Sequence, residues 1–134
     1  MRLLITGGAG CLGSSIIEKY LPTGVEILVI DNFATGKKEV VPNVDRLTVV
    51  EGSIVDRTLV NNTFATFKPT HVIHSAAAYK DPSNWVEDAE TNIIGSINIA
   101  KACSENGIEK LINFQTALCY GRPAHVPITI NSPT

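Results

Sequence analysis

The sequence predicts an α/β fold in which a doubly wound parallel sheet of five strands, in the order 3-2-1-4-5, carries helices on both faces. Two observations lead to this prediction. Short apolar runs, typical of buried parallel strands, alternate along the chain with amphipathic helical stretches. The first strand runs directly into a glycine-rich turn, and the second ends in an acidic residue. We interpret residues 1–134 as one domain, with an irregular loop over residues 121–134.

The first element is a strand over Arg2 to Thr6, and glycines spaced GxxGxxG follow it at once. Gly7 has the freedom in φ that a tight strand-to-helix turn requires, Gly10 lets a pyrophosphate approach the backbone, and Gly13 lets the next helix pack closely. The free N–H groups at the start of that helix would face the phosphates. The spacing therefore favours a dinucleotide cradle, although an ordinary flexible turn can have the same composition.

The next elements fit the same cradle. An amphipathic helix follows the glycines and ends at Pro22 and Gly24. A second strand, Val25 to Ile30, leads to Asp31, the position at which dinucleotide folds hold the adenosine ribose by its 2′-hydroxyl. Strand, glycines, helix, strand and acid in this order indicate a Rossmann-type nucleotide-binding fold, and a carboxylate at the ribose favours NAD over NADP.

A polar loop over residues 32–41 and a third strand, Arg46 to Glu51, come next. The Gly-Ser-Ile sequence at 52–54 would present backbone and hydroxyl groups to an adenine, or would form an ordinary strand-to-helix turn. Asp56 is expected to cap a helix that Pro69 closes.

The fourth strand covers Thr70 to Ser75, and the small residues at its end favour close approach of a ligand or, equally, compact packing. Asp81 and Pro82 predict the start of a long helix. Its apolar stripe at helical spacing consists of Val86, Ala89, Ile93, Ile97 and Ala100. Asn92 lies on the polar side, toward a ligand or toward water, and Gly95 predicts a kink or close packing.

The fifth strand, Glu109 to Gln115, ends at Thr116, which places a hydroxyl where substrate would lie. In the predicted order this strand is at an edge of the sheet, with Leu111, Ile112 and Phe114 open to pairing with another chain. We therefore expect the chain by itself to associate through this edge.

Composition narrows the classes of function. Hydrophobic residues make up 44% of the chain, enough for a packed core, and the net charge is −2. Lys37 and Lys38 form the only basic cluster, so nothing indicates a nucleic acid or an anionic membrane as a partner. We expect no membrane span, no signal peptide and no metal site. The three cysteines, Cys11, Cys103 and Cys119, have no metal-binding spacing and fit a reducing cytoplasm.

An ordered set of short motifs resembles the extended short-chain dehydrogenases. More narrowly, the chain is similar to the NAD-dependent epimerase/dehydratase family that acts on nucleotide sugars, including lipopolysaccharide sugar epimerases. The motifs are TGGAGCLG, DN, EGSI, HSAAAYK, TNIIG and FQTALCYG, in that order. Because members of this family are more than twice as long, the resemblance implies that C-terminal strands and a substrate domain are absent from this chain.

The resemblance also implies roles for individual residues. The pyrophosphate would lie on Gly7, Gly10 and Gly13, with backbone from Cys11 and Leu12. The other implied cofactor residues are Asp31 and Asn32 at the adenosine ribose, Ser53 and Ile54 at the adenine, Ala76, Ala77 and Lys80 along the ribose and pyrophosphate path, and Asn92 in support. Thr116 matches the serine or threonine that hydrogen-bonds the reacting hydroxyl or carbonyl, which makes it the implied catalytic residue.

The chemistry of the family requires a tyrosine with a lysine four residues later, because the ammonium lowers the pKa of the phenol. None of Tyr20, Tyr79 and Tyr120 has a lysine at this spacing. We therefore expect the chain alone to be inactive, as the NAD-binding part of an epimerase or dehydratase. A non-catalytic NAD sensor and an inactive structural fragment are the alternatives. Members of the family often form dimers through helices that include the long one here, so a homodimer is a further expectation.

Overall fold

The computed structural model describes residues 1–133 as one parallel five-stranded sheet with helices on both faces. The strands are β1 (Arg2–Thr6), β2 (Glu26–Asp31), β3 (Leu47–Glu51), β4 (His71–His74) and β5 (Lys110–Asn113). The helices are α1 (Cys11–Tyr20), α2 (Arg57–Phe67), α3 (Trp85–Ala89) and α4 (Ser96–Glu105), and a π-helix, Glu90–Gly95, joins α3 to α4. The strand order β3-β2-β1-β4-β5 confirms the predicted fold class.

The central strand β1 divides the apolar core into two layers. Leu3 and Ile5 pack toward Ile17 of α1 on one face of the sheet. Leu4 points to the other face, where it packs with Phe64 of α2 and with residues of α4. Side chains alternate in this way because successive residues of a strand point to opposite faces, and a parallel sheet is covered on both.

Parallel pairing brings the carboxyl ends of the strands to one edge of the sheet. In the register of the sheet, Thr6 at the end of β1 lies beside Ile30 of β2 and His74 of β4. Asp31, the last residue of β2, lies beside Glu51 at the end of β3. Segments that follow different strands therefore meet at this edge, although they are distant in the sequence.

The start of the long helix differs from the prediction. Asp81 accepts hydrogen bonds from the Ser83 N–H and hydroxyl, at 2.9 and 2.6 Å, and these bonds hold the pKa of its carboxyl below the ordinary value. This local turn competes with helix formation, as short polar side chains commonly do. The helix begins instead at Trp85, with the Asn84 side chain accepting the Glu87 N–H as N-cap. The prediction of Asp81 and Pro82 as the helix start is wrong.

The apolar stripe of the long helix does not face the sheet. Val86, Ile93 and Ile97 are 68%, 58% and 45% exposed. The buried face consists of Gly95, Asn98, Ile99, Ala102 and Cys103. One reason is the π-helix, which changes the number of residues per turn and rotates α4 relative to α3. The other is that α4 has apolar residues on two faces, and its approach to the sheet decides which one is buried.

Gly95 fits the close-packing alternative of its prediction. A Cβ at this position would lie 2.5 Å from the Cδ1 atom and 2.6 Å from the Cγ1 atom of Ile54, so a larger residue here would displace the Ile54 side chain.

The last strand of the sheet is paired on one side only. β5 is an edge strand, as predicted, and Leu111, Ile112 and Phe114 are each more than a third exposed. Residues 121–133 form no helix or strand. Within residues 1–133, no helix has the length and apolar character needed to cross a membrane.

Candidate functional site

The turn after β1 has the geometry that its glycine spacing predicts. Gly7 adopts a φ of +71°, and a Cβ there would lie 2.8 Å from the backbone nitrogen of Ala76. A Cβ at Gly13 would lie 2.3 Å from the carbonyl oxygen of Gly7. At Gly10 the nearest atom to such a Cβ is the same oxygen at 3.3 Å, and the rest of its surroundings are open. Gly7 and Gly13 are thus required by the fold, whereas Gly10 presents bare backbone to the adjoining space.

A cleft of about 280 Å³ lies over this turn, at the carboxyl edge of the sheet. Most of the predicted cofactor residues line it. They are Gly7, Gly10, Cys11, Leu12, Gly13, Asp31, Asn32, Ser53, Ile54, Ala76 and Ala77. The fold brings these residues together from the ends of β1, β2, β3 and β4, which is where doubly wound sheets bind ligands.

Asp31 connects the glycine turn to the loop after β2. Its carboxylate accepts the Ala9 N–H at 2.8 Å through Oδ2 and the Phe33 N–H at 2.8 Å through Oδ1. The residue is 8% exposed, yet it lines the cleft. A carboxylate has about four acceptor positions, so the two that remain can accept hydrogen bonds from a ribose diol. The two backbone bonds hold the side chain in this orientation before any ligand arrives.

The turn after β3 offers a hydroxyl to the cleft. The Ser53 side chain accepts the Val55 N–H at 3.2 Å, and a hydroxyl that accepts in this way can still donate its proton to a ligand. Ile54 is buried between this turn and Gly95, which gives the turn a fixed base.

Three predicted residues, Lys80, Asn92 and Thr116, lie outside the lining of this cleft. Lys80 lines a smaller adjoining cavity of about 80 Å³ together with Asn32 and Ala77. The Asn92 side chain is engaged with the Ala78 backbone, accepting its N–H at 2.9 Å and donating to its carbonyl oxygen at 2.8 Å. Asn92 therefore holds the turn after β4.

Thr116 lies beyond β5 and caps a short 3₁₀ turn, Ala117–Tyr120, by accepting the Leu118 N–H at 3.2 Å. The β4–β5 pairing puts it at the same edge of the sheet as the cleft, because His74 is opposite Asn113 in the register.

Several residues of the cleft were not singled out from the sequence. Thr35 and Gly36 come from the loop after β2, Tyr79 from the turn after β4, and Thr91 from the π-helix. Gly36 carried a signal, since a glycine in a polar loop suggests close packing, and a Cβ there would lie 2.6 Å from the Cβ of Ala9. Thr91 is the first residue of the TNIIG motif, but its place at the cleft depends on the π-helix, which the sequence did not predict.

Cys11 and Cys119 are exposed, whereas Cys103 is buried. All three are free thiols, and burial raises the pKa of Cys103 to about 11, so it stays protonated. Over the described part of the chain, no group of three or more His, Cys, Asp or Glu side chains could hold a metal ion.

A glycine turn with open space above it and an oriented carboxylate at the second strand define a dinucleotide-binding Rossmann-type domain. A sequence model of the NAD dependent epimerase/dehydratase family matches residues 3–134, and the chain belongs to this family. The predicted family and its cofactor, NAD, are thereby confirmed.

Known proteins similar to this chain are longer. The structure of Bordetella bronchiseptica WbmG in complex with NAD and UDP is 69% identical, with a TM-score of 0.96 over 100% of this chain and 43% of that one. WbmH from the same organism, in complex with NAD+, is 43% identical, with a TM-score of 0.94 over 98% and 45% of the two chains. A UDP-glucose 4-epimerase from Halalkalibacterium halodurans is 34% identical over 100% of this chain and 40% of its own length. The chain spans about 40% of the length of such curated relatives.

Proposed function

We propose that this chain forms the NAD-binding part of a nucleotide-sugar epimerase or dehydratase. The observation that carries the proposal is the cleft in which the open backbone at Gly10 and the oriented carboxylate of Asp31 lie at one edge of the sheet. NAD held in this cleft would supply the hydride chemistry by which a sugar carbon is oxidised and then reduced again. The names of the similar proteins, which include UDP-glucose 4-epimerases, support a nucleotide sugar as the substrate class.

Within this proposal, the start of α1 binds the pyrophosphate. Gly10 is the N-cap and has no side chain, so the first amides of the helix, at Cys11 and Leu12, are left to a ligand. Both residues line the cleft. The positive end of the helix dipole adds to the attraction for phosphate.

The charges around the ribose position support NAD over NADP. A 2′-phosphate would bring negative charge next to the buried carboxylate of Asp31. Lys38 is engaged elsewhere, since its ammonium pairs with Glu51 at 2.5 Å and lies 5.0 Å from the centre of the Phe33 ring. A cation that is already paired gains less from a new phosphate.

Catalysis in this proposal requires groups beyond the described cleft. Thr116 would hydrogen-bond the reacting oxygen of the sugar, from its place after β5 at the same edge of the sheet as the cleft. A tyrosine with a lysine four residues on would move the proton, and no tyrosine of this chain has that partner. We therefore expect the 134 residues to bind NAD without turning over a nucleotide sugar.

We also propose that a second copy of the chain covers the exposed apolar face of the long helix. Trp85 and Val86 are 78% and 68% exposed there, and Ile93 extends the same patch. Large exposed apolar patches commonly mark interfaces. The free cysteines support a cytoplasmic location, which stays a prediction.

Titration calorimetry of the chain with NAD and with NADP tests the proposal, together with an assay for UDP-glucose epimerisation. We expect NAD to bind more tightly than NADP, and no epimerisation. Tighter binding of NADP would contradict the role of Asp31. If neither NAD nor NADP binds, the inactive structural fragment is the favoured alternative. A non-catalytic sensor is favoured if a longer form of the protein binds NAD and still turns over no sugar nucleotide.

A further inference from the structure

The turn after β4 is held from two sides. From β1, the hydroxyl oxygen of Thr6 accepts the Ala76 N–H at 3.2 Å, and the Thr6 carbonyl oxygen accepts the Ser75 hydroxyl at 2.7 Å. From the π-helix, the amide of Asn92 bonds both the N–H and the carbonyl of Ala78. Because Ala76 lies directly against Gly7, the position of this turn sets one wall of the cleft.

His74 connects these two anchors through the interior. Its Nδ1 is 2.6 Å from the Thr6 hydroxyl oxygen, and its Nε2 is 2.9 Å from the Ser96 hydroxyl oxygen. The Ser96 hydroxyl in turn lies 2.8 Å from the backbone carbonyl of Asn92. His74 itself does not line the cleft.

The backbone carbonyl of Asn92 fixes the direction of each hydrogen bond from Ser96 through His74 to Thr6. The Asn92 carbonyl can only accept, so Ser96 donates to it and must accept from His74 Nε2–H. His74 Nδ1 is then the acceptor of a hydrogen bond that the Thr6 hydroxyl donates. Thr6 keeps a lone pair for the Ala76 N–H. Each group is used without conflict only if the ring is neutral with its hydrogen on Nε2.

Burial raises the cost of breaking any of these hydrogen bonds. Thr6 is fully buried and His74 is 4% exposed, so a broken bond would leave a polar atom without a partner in the interior. Burial also lowers the pKa of His74, which favours the neutral ring that the contacts require.

We propose that His74 is a positioning residue for the cofactor cleft, which as the neutral Nε2–H ring ties the Thr6 anchor of the Ala76 turn to the Ser96 anchor of the π-helix. It acts through these two hydroxyls and touches neither cofactor nor substrate. The effect on NAD binding rests on the proposed function, whereas the effect on the turn does not.

The test uses Thr6→Val, which removes the central hydroxyl at nearly constant volume. Thr63→Val is the matched control, since Thr63 is also buried and donates its hydroxyl to the Leu59 carbonyl within α2, away from the cleft. We expect hydrogen exchange at the Ala76 amide to become about tenfold faster in Thr6→Val and to stay unchanged in Thr63→Val. The NAD dissociation constant should rise by about tenfold in Thr6→Val only.

A second measurement does not depend on NAD. The nitrogen NMR spectrum of the His74 ring should show the neutral Nε2–H tautomer in the wild type and a mixture of tautomers in Ser96→Ala. A wild-type ring with its hydrogen on Nδ1 would overturn the proposal, and so would equal exchange at Ala76 in Thr6→Val and Thr63→Val. If the ring and exchange results hold while the wild type fails to bind NAD, the positioning of the turn stands and the proposed function fails.

Discussion

At the scale of single residues, Asp31 combines a structural and a binding role. Its carboxylate accepts two backbone N–H groups and still faces the cleft. We expect Asp31→Ala to weaken NAD binding by about 1.5 to 3 kcal/mol, the range for hydrogen bonds that involve a charge. The free energy of unfolding should also fall, because the Ala9 and Phe33 amides lose their acceptor. Calorimetry and thermal denaturation measure the two effects separately.

Asp45→Ala is the control for this change. It removes the same charge from the loop before β3, at the amino ends of the strands, whereas the cleft lies at their carboxyl ends. NAD binding should be unaffected in this variant. If Asp31→Ala and Asp45→Ala bind NAD equally well, the ribose assignment is wrong.

Gly10 and Gly13 differ in what a side chain would meet. At Gly10 the backbone has a φ of −78°, which any residue adopts, and only one atom is near a Cβ. Gly10→Val should therefore fold and lose NAD binding, because its side chain fills the pyrophosphate position. Gly13→Val should not fold, since its Cβ would lie 2.3 Å from the Gly7 carbonyl oxygen. Circular dichroism and NAD titration check both, and a Gly10→Val chain that binds NAD like the wild type would refute the cradle.

The lowered pKa of His74 predicts a dependence of stability on pH. The unfolded chain, with a histidine pKa of about 6.5, takes up a proton more readily than the folded chain does. The contribution of His74 is therefore complete above about pH 6.5 and is lost as the pH falls toward and through the lower pKa of the folded state. Denaturation midpoints at about pH 7.5 and 5.5 should show a smaller loss in His74→Asn than in the wild type. Thr63→Val is the control, because it removes a buried hydroxyl and no titratable group, and it should lose as much as the wild type.

At the scale of elements, the long helix shows how one change of helical geometry redirects a whole face. The π-helix places Thr91 at the cleft and the Asn92 amide on Ala78, and it leaves Ile93 in solvent. The apolar stripe that looked suited to the sheet is thus free for another contact.

If a second copy covers this face, Ile93→Glu should convert a dimer to a monomer, because a buried carboxylate without a partner opposes association. Val44→Glu is matched in exposure, at 43% against 58%, and lies in the loop before β3. Sedimentation equilibrium is run in an Ile112→Lys background, in which the charge on β5 opposes association through the sheet edge. It should give a dimer in that background alone and with Val44→Glu, and a monomer with Ile93→Glu. A dimer that persists in Ile93→Glu would place the interface elsewhere.

At the scale of the whole molecule, the sheet ends in an open edge. β5 pairs with β4 on one side, and its Ile112 is 43% exposed. We expect copies of the chain to associate through this edge. We also expect the chain to bind NAD weakly and to turn over no nucleotide sugar. Ile112→Lys should reduce the association, because a charge on an edge strand opposes pairing. Light scattering, NAD titration and an epimerase assay on one preparation test the three expectations, and a monomer with measurable turnover would overturn them.

The sequence by itself determined the features that depend on neighbours along the chain. The strand runs, the Asp56 cap accepting the Leu59 N–H, and the positive φ of Gly7 each follow from a few consecutive residues. The strand order followed as well, because a glycine turn after the first strand and an acid after the second place those strands side by side at the centre of the sheet.

Tertiary structure decided what depends on contacts between distant residues. The face of α4 that is buried depends on how closely the helix approaches Ile54. The spacing of apolar residues within α4 does not predict this contact. The bond between Thr6 and His74, 68 residues apart, exists only after parallel pairing brings the ends of β1 and β4 together. The engagement of Asn92 with Ala78 depends on how the π-helix packs against the turn after β4. A pattern in the sequence reports which residues are apolar or polar, and only packing decides which of them meet.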